Sequence, residues 1–317
     1  MRVGVIGLGV MGKNHVRVLN QMPQVEKVIV YDIEPGLTAG GEKSQKVDSL
    51  DNLASASPDY VVVALPTRFH TEAATFLASR RIPTLLEKPV APSQQEAEAI
   101  ALAFADEDIL CTVGHVERFN PSLSALRRKI TEGVIGNPLQ ISTRRVGPFP
   151  RRINDVGVIL DLASHDIDLV GWITGQGYEH LTSLTSSPLP GEHEDMFLAA
   201  GRLGNGMLVS HEVNWVTPTK ARQTMVLGED GMLVADSLRA ELRLFRNGET
   251  GSDWGMYSNF RGVTEGEEIR FVVPVREPLL QEHEAMMKEI TQPGSTEICS
   301  LADGVRVMRV INGLLND

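Results

Sequence analysis

The first 115 residues alternate short apolar segments with amphipathic ones, and this alternation constrains the fold more than any other feature of the sequence. The apolar segments are continuous and bounded by turn-forming residues, which is typical of strands buried in a parallel sheet. They are Arg2–Gly7, Val25–Asp32, Tyr60–Pro66, Ile82–Glu87 and Ile109–His115. Helical patterns lie between them at His15–Gln21, Thr71–Ser79 and Gln94–Ala105. This alternation predicts an α/β domain with a doubly wound parallel sheet.

A glycine-rich turn follows the first of these strands and opens a helical pattern. It consists of Gly7, Leu8, Gly9, Val10, Met11 and Gly12. Such glycines let the backbone approach a pyrophosphate, which the amides and the dipole of the helix N-terminus attract. Asp32 stands 20 residues beyond Gly12, where a carboxylate accepts hydrogen bonds from the adenosine ribose, and Ile33 after it brings no positive charge for a 2′-phosphate. The segment therefore predicts a dinucleotide site that prefers NAD to NADP; a structural glycine turn in another α/β protein is the alternative.

The pattern changes after His115. A helical stretch at Pro121–Glu132 and a strand at Leu139–Val146 precede a helix over 157–174. Five further strands suggest a mostly antiparallel open sheet, with a hairpin turn at Gly204–Gly206. These strands are Met196–Leu203, Gly206–Trp215, Arg222–Glu229, Gly231–Ser237 and Leu242–Asn247, and helices are predicted at Pro278–Ile290 and Leu301–Leu315. We predict a Rossmann domain over 1–118 and a second, α+β domain over 119–317, with a loop at 248–268.

Composition excludes several classes of protein. The formal net charge of −11 argues against nucleic-acid binding, which needs a basic surface. No apolar run approaches the roughly 18 residues that a membrane-spanning helix needs. Cys111 and Cys299 are too far apart in sequence to suggest a disulfide framework or a zinc site, and a cytoplasmic location is expected.

The stretch from Arg144 to Asp168 places four arginines in a loop rich in proline and glycine, directly before the 157–174 helix. Asp161, His165 and Asp168 recur at helical spacing and should share one face. A cationic loop beside a carboxylate and an imidazole suits an enzyme that holds a phosphate-bearing substrate and moves a proton. A solvated loop, a solvated helix face and a metal site are the alternatives.

Polar residues also follow two neighbouring strands of the predicted parallel sheet. Leu65, Pro66 and Thr67, with His70, follow one strand, and Glu87 and Lys88 follow the next. Open α/β sheets bind ligands at the carboxyl ends of their strands, so both groups are candidates for a site.

These motifs occur in the order and spacing of the Gfo/Idh/MocA oxidoreductases, which this chain resembles over almost its entire length. The segments that carry the resemblance are GLGVMG, LPTRFH, EKP, VGHVERFNP and DLASHDID. The resemblance implies an NAD(P)-dependent dehydrogenase that acts on CH–OH groups of sugars or cyclitols, without a metal. It also implies a homo-dimer or homo-tetramer that associates through the sheet of the second domain.

Site roles follow from the same resemblance. Lys88 would contact the nicotinamide ribose and the reacting hydroxyl, and His165, with Asp161 one turn away, would transfer the proton. Leu65, Pro66, Thr67, His70 and Glu87 would complete the cofactor site. Ala163 departs from the glycine that the family often has there. The chemistry suits these residues, because imidazole titrates near neutral pH and a cationic lysine stabilises a developing alkoxide. A neutral Lys88 acting as the base is the alternative.

The arginine-rich loop resembles the branch of the family that oxidises the 3-hydroxyl of UDP-N-acetylglucosamine. Arginine forks suit a pyrophosphate. The expected substrate-binding residues are Arg118, Arg145, Arg151, Arg152, Asp168, Asn214 and Trp215. A dehydrogenase of a free sugar or inositol is the alternative substrate class, and a non-catalytic NAD(H)-sensing regulator is the alternative of a different kind.

Overall fold

The chain folds into two units, each built around one β-sheet. The computed structural model describes residues 1–34, 36–38, 40–149, 156–191, 193–248, 265–296 and 298–316. The first unit comprises Met1–Val116 and Glu277–Asp317, and the second comprises Glu117–Arg276.

Within its described residues, the first unit has one sheet of six strands in the order β3-β2-β1-β4-β5-β6. The strands are β1 (Arg2–Ile6), β2 (Lys27–Tyr31), β3 (Ser44–Lys46), β4 (Tyr60–Val63), β5 (Thr84–Glu87) and β6 (Cys111–Gly114). All neighbouring pairs are parallel. The chain order reverses between β1 and β4, which is where doubly wound sheets bind their ligands. The predicted parallel sheet is confirmed.

Helices cover this sheet because their apolar sides pack against strands that are buried themselves. The helices are α1 (Val10–Gln21), α2 (Leu50–Ser55), α3 (His70–Ser79) and α4 (Gln94–Asp106). Val3, Val5 and Val62 are fully buried in the sheet, and Val16 and Leu19 of α1 join the same apolar core. The side chains of Ser49 and Ser93 cap α2 and α4 by accepting backbone N–H bonds, which fixes where these helices begin.

Two C-terminal helices complete the first unit, although the sequence placed them in the second domain. They are α7 (Pro278–Thr291) and α8 (Leu301–Asn316). Leu279, Met286 and Met287 of α7 belong to the same core as the strands β1 and β2. Arg309 of α8 bonds to Glu98 of α4. The predicted second domain, 119–317, is therefore too long at its C-terminal end. The sequence does not reveal this, because the apolar face of an amphipathic helix does not specify which sheet it covers.

The second unit has a mostly antiparallel sheet, as predicted. Among its described residues, eight strands are ordered β14-β13-β12-β11-β7-β10-β9-β8. The strands are β7 (Pro138–Pro148), β8 (Tyr178–Ser186), β9 (Met196–Leu203), β10 (Leu208–Asn214), β11 (Val216–Gly228), β12 (Gly231–Asp236), β13 (Glu241–Asn247) and β14 (Glu265–Phe271). Only the pairing of β7 with β10 is parallel among these described strands. The predicted hairpin turn is present between β9 and β10, with Gly206 at a φ of +89°.

Helices pack on one face of this sheet and leave the other face open. They are α5 (Pro121–Thr131) and α6 (Ser164–Thr174), and a π-helical segment, Ile159–Ala163, precedes α6. Leu126 of α5 and Leu169 of α6 are buried against Ile141 and Val209 of the sheet. On the opposite face, Leu184 and Leu198 are exposed beside a groove of about 620 Å³. No described helix is long and apolar enough to cross a membrane.

Candidate functional site

The glycine turn of the first unit has the geometry that an anion site at a helix N-terminus requires. Gly7 follows β1 at a φ of +91°, which favours glycine, and Gly9 is the N-cap of α1 without a side-chain cap. A Cβ on Gly12 would lie 1.8 Å from the carbonyl oxygen of Gly7, so only glycine fits there. A Cβ on Gly9 would meet no atom within 4 Å. The space over Gly9 is therefore open to a ligand, and the residues present fit the pyrophosphate of NAD.

Asp32 lies beside this turn and is held by two backbone amides. Its Oδ2 accepts the Leu8 N–H at 2.6 Å, and its Oδ1 accepts the Glu34 N–H at 2.8 Å. A carboxylate has about four lone-pair positions, so two bonds leave capacity for ribose hydroxyls. Ile33 is 80% exposed and leaves the space next to the carboxylate apolar. Val10 and Met11 lie in the first turn of α1, where Val10 is exposed and Met11 partly so.

The loop after β4 is joined to the loop after β5 through His70. Pro66 precedes a short 3₁₀ turn at Thr67–Phe69, and His70 begins α3 with its ring buried. The ring atom Nε2 lies 2.9 Å from the Leu65 carbonyl, and Nδ1 lies 2.9 Å from the Pro89 carbonyl. Burial outweighs these carbonyl contacts and lowers the pKa of His70 from its ordinary value. His70 thus connects the two loops in addition to any contact with a cofactor.

Glu87 and Lys88 occupy the carboxyl end of β5. Glu87 as a residue is 6% exposed, and its Oε2 accepts the backbone N–H of Lys88 at 3.2 Å. A cis peptide bond joins Lys88 to Pro89. A Cβ on Gly114 of the adjacent strand would lie 3.0 Å from the Glu87 Cδ, so a glycine there provides the space for this carboxylate.

The sheet brings all the predicted cofactor residues of the first unit to one edge. Ile6 is paired with Tyr31 and with Val63, and Val63 with Leu86, so the four strands end at the same level. The segments that follow those strands are Gly7–Gly12, Asp32–Ile33, Leu65–Thr67 and Glu87–Lys88. They lie at the reversal of strand order, as the motif spacing implied.

In the second unit, the helix carrying Asp161, His165 and Asp168 is not one regular α-helix. Its first part, Ile159–Ala163, is π-helical and turns more widely than an α-helix, a feature often found at functional sites. Asp161 and His165 are partly exposed, whereas Asp168 is buried. Ala163 is fully buried, so its methyl group packs inside the unit. The three predicted residues therefore do not share one accessible face, and they do not form a three-ligand metal cluster among the described residues.

A residue that the sequence did not suggest holds the start of this helix. Oε1 of Glu194 accepts the N–H of Ile159 at 2.9 Å, and its backbone carbonyl accepts the N–H of Val158. The contact joins positions 35 residues apart in sequence, so no local pattern indicates it.

Arg118 and Asp168, both predicted to bind substrate, bind each other. Two nitrogens of Arg118 donate to the two carboxylate oxygens of Asp168 at 2.9 and 2.5 Å. Both side chains are buried. Their described contacts therefore make them a structural pair that ties the start of the second unit to α6.

Arg145 is also paired internally, and it lies in strand β7, within the predicted strand Leu139–Val146. Its Nε donates to Asp166 and its Nη1 to Glu117, both at 2.9 Å. Burial alone would lower the pKa of Arg145, but the two carboxylates outweigh it and raise the pKa. Arg144, beside it in β7, donates to Glu212 at 2.8 Å. The charges of both arginines are balanced by carboxylates of the same unit.

The other predicted substrate residues fall into two groups. Arg151 and Arg152 lie outside the described residues. Asn214 is buried, and its Oδ1 accepts bonds from the Val216 N–H and from the N–H and hydroxyl of Thr217, which fixes the turn between β10 and β11. Trp215 is buried, with its ring edge-on to Phe149 at a centroid distance of 5.6 Å. These contacts are structural, as is common for a buried tryptophan.

Comparison with known proteins identifies the kind of fold and site. The model of the NAD-binding Rossmann-fold domain of the GFO/IDH/MocA oxidoreductase family matches residues 1–115, and the model of that family's C-terminal domain matches residues 123–234.

Two relatives illustrate the similarity. The UDP-N-acetylglucosamine 3-dehydrogenase of Acidithiobacillus ferrooxidans is 27% identical over 249 residues, covering 78% of each chain. An inositol 2-dehydrogenase of Paenarthrobacter aurescens is 30% identical over 67% of this chain and 68% of its own.

Solved structures agree on the fold. The Acidithiobacillus ferrooxidans UDP-N-acetylglucosamine 3-dehydrogenase superposes with a TM-score of 0.83 at 24% identity, covering 99% of this chain and 96% of that one. A levoglucosan dehydrogenase in complex with NADH and levoglucosan gives a TM-score of 0.83 at 21% identity, covering 100% and 96%.

Proposed function

Because this chain belongs to the Gfo/Idh/MocA oxidoreductases and is a dehydrogenase that uses NAD, we propose that it oxidises the 3-hydroxyl of UDP-N-acetylglucosamine to a 3-keto sugar. The observation that carries the choice of substrate is the match to the Acidithiobacillus ferrooxidans enzyme, which covers 78% of each chain. The inositol dehydrogenase of Paenarthrobacter aurescens matches over a smaller share, 67% and 68%.

The first unit would hold the cofactor through its backbone and one carboxylate. When bound, NAD accepts the hydride that leaves the substrate carbon. The amides around Gly9, at the N-terminus of α1, would bind the pyrophosphate, and Asp32 would accept hydrogen bonds from the ribose hydroxyls. Since Asp32 is already oriented by the amides of Leu8 and Glu34, it needs no rearrangement to do so.

Two side chains are proposed to handle the proton of the substrate hydroxyl. His165, partly exposed after the π-helical segment, would take the proton, with Asp161 orienting its ring. Lys88, as a cation next to the buried Glu87 carboxylate, would stabilise the oxygen that becomes negative as the proton leaves. The exchanged assignment, with a neutral Lys88 as the base, predicts the same products.

The UDP pyrophosphate requires cations that carboxylates do not already balance. The described partners of Arg144 and Arg145 are carboxylates. We therefore keep Arg145 as a residue that shapes the unit, and we propose Arg151 and Arg152 for the phosphate contact from the sequence alone.

A second substrate class is favoured by a specific observation. Inositol 2-dehydrogenases from two organisms are 30% identical to this chain over 67% of its length. An inositol or free sugar has no pyrophosphate, so its oxidation would not depend on the arginine pair Arg151 and Arg152.

The test is to supply purified protein with NAD and either UDP-N-acetylglucosamine, free N-acetylglucosamine or myo-inositol, and to follow the absorbance of NADH. A 2-oxo acid is added in a parallel reaction to reoxidise a tightly held NADH, and there the oxidised sugar is measured directly because NADH does not accumulate. Turnover of the UDP-sugar alone supports the proposal, and turnover of inositol alone overturns it.

Variants test the assigned roles in the same assay. His165→Ala and Lys88→Ala should each abolish turnover and leave NAD binding largely intact. Full activity of either variant would contradict the mechanism. Replacing both Arg151 and Arg152 with alanine should raise KM for the UDP-sugar and leave kcat nearly unchanged.

A further inference from the structure

Four polar side chains form a continuous hydrogen-bonded chain in the core of the first unit. The hydroxyl of Tyr60 lies 2.9 Å from Nδ1 of His283, and Nε2 of His283 lies 3.0 Å from Nδ1 of His15. Nε2 of His15 lies 2.9 Å from Oε1 of Glu87. All four are at most 6% exposed, and the two imidazoles meet edge to face. We call this set the histidine chain.

The charge of Glu87 determines which atom donates the hydrogen bond between Glu87 and His15. Burial by itself raises the pKa of Glu87, but the hydrogen bond and charge of His15, together with Lys88, outweigh it and lower the pKa. As an anion, Glu87 only accepts, so Nε2 of His15 carries the hydrogen. Burial and the proximity of His15 hold the pKa of His283 well below its ordinary value, so His283 is neutral and donates from one nitrogen only.

A second carboxyl group in this core favours its neutral form. Glu282, the residue before His283 on α7, is 3% exposed, and neither of its oxygens has a hydrogen-bond partner among the described residues. Burial, reinforced by the charge of Glu87, raises the pKa of Glu282 well above its ordinary value. The two opposite pKa shifts favour the negative charge on Glu87, the carboxylate that contacts the Lys88 turn.

The Glu87 end of the histidine chain contacts the backbone of the Lys88 segment. Oε1 of Glu87 faces His15, while Oε2 accepts the backbone N–H of Lys88 at 3.2 Å. One carboxylate thus connects the imidazole on α1 to the backbone of the residue assigned to the substrate hydroxyl. Gly114 leaves the space in which the carboxylate lies.

We propose that His15 and His283 are positioning residues that orient the Glu87 carboxylate and, through it, the turn that presents Lys88. This inference rests on the proposed function, in which Lys88 contacts the reacting hydroxyl. It gives a role to two buried histidines that touch neither substrate nor cofactor in the proposed mechanism. His283 lies 268 residues after His15, so the C-terminal helix α7 supplies half of the imidazole pair.

Two substitutions of His15 separate positioning from space filling. His15→Gln retains a side-chain N–H near the position of Nε2 and can still donate to Glu87, whereas His15→Leu fills the space without a donor. Each is measured for kcat, for KM of NAD, for thermal stability and for amide hydrogen exchange of the Glu87–Val90 segment. The exchange measurement requires no substrate, so it decides on the positioning whether or not the proposed function is correct.

A matched control comes from the second unit. His211 is equally buried and bonded at both ring nitrogens, to Thr143 at 2.7 Å and to Tyr178 at 2.9 Å. His211→Gln and His211→Leu should change stability without accelerating exchange of the Lys88 amide. Tyr60→Phe removes the donor farthest from Lys88 and should reduce kcat less than His15→Leu does.

In His15→Leu, kcat should fall about tenfold or more, while KM of NAD should stay within about threefold of wild type. The reason is that a small displacement of a reacting group lowers the rate of the reaction more than it weakens binding. Exchange of the Lys88 amide should become faster, and His15→Gln should restore part of both losses. Equal behaviour of the Leu and Gln variants, or unchanged exchange in His15→Leu, would overturn the proposal. Wild-type protein that oxidises none of the three substrates would overturn the proposed function instead, while the exchange data would still decide on the histidine chain.

Discussion

Replacing Asp32 should change which dinucleotide the first unit binds. Asp32 accepts the amides of Leu8 and Glu34, and its remaining lone pairs are assigned to the adenosine ribose. A hydrogen bond to a charged acceptor contributes about 1.5–3 kcal/mol. Loss of one such bond in Asp32→Ala should therefore weaken NAD binding about tenfold to a hundredfold. NADP should lose less, because the carboxylate that repels its 2′-phosphate disappears as well.

The ratio of the two affinities isolates this effect. Asp32→Ala also deprives the Leu8 amide of its acceptor, but that damage to the glycine turn weakens both cofactors alike. Isothermal titration with NAD and with NADP, without any substrate, gives the ratio directly. Asp32→Asn is the matched control, because it removes the charge and one acceptor while keeping an acceptor for one backbone amide.

A double variant extends the test. Ile33 is 80% exposed next to Asp32, so Asp32→Ala with Ile33→Arg places a guanidinium where a 2′-phosphate would lie. This variant should prefer NADP. An unchanged ratio in Asp32→Ala, together with no gain for NADP in the double variant, would refute the assignment of Asp32 to the ribose.

Four further predictions concern stability and assembly. The raised pKa of Glu282 means that the folded state favours the neutral form of this carboxyl group. The stability of the folded state therefore falls as pH rises from the ordinary carboxyl range towards that raised pKa. Glu282→Gln should have a higher melting temperature than wild type at neutral pH and not at acid pH. Burial lowers the pKa of His211 from 6.5 to about 4, so between these pH values only the unfolded chain takes up a proton at this residue. Acidification through this range should lower the free energy of unfolding by about 3 kcal/mol in denaturant titrations. His211→Gln should lack that loss. Asp168→Ala removes the carboxylate that accepts two hydrogen bonds from the buried Arg118 and should cost about 3–5 kcal/mol, which Asp168→Asn would only partly restore. If a second copy covers the open sheet face, Leu198→Arg should reduce the mass found by light scattering, and an unchanged mass would exclude that face.

The sequence predicts the positions of the glycine turn and of Asp32 well because their determinants are local. Gly7, Gly9 and Gly12 follow one another within a single turn, and Asp32 ends the next strand. Parallel strands that end at one level bring such segments together without any further information. The same argument predicted the position of Lys88.

The remaining features depend on contacts between distant segments. Arg145 was interpreted as a phosphate ligand because it is cationic, yet Asp166 and Glu117 balance its charge within the unit. Strand β8 was not predicted, because most of its residues are polar or exposed and show no apolar alternation. The histidine chain joins residues from α1, β4, β5 and α7, and no sequence pattern connects them.

The return of α7 and α8 to the first unit has a consequence for biosynthesis. The second unit is one continuous segment, Glu117–Arg276, so it can fold as soon as that segment leaves the ribosome. The cofactor unit, although its glycine turn is translated first, must wait for Leu279, Met286 and Met287 to close its core. Until then the nascent chain exposes an incomplete apolar surface, and His15 lacks its partner imidazole. A fragment truncated at Val116 should therefore be prone to aggregation, even though it contains every residue assigned to NAD.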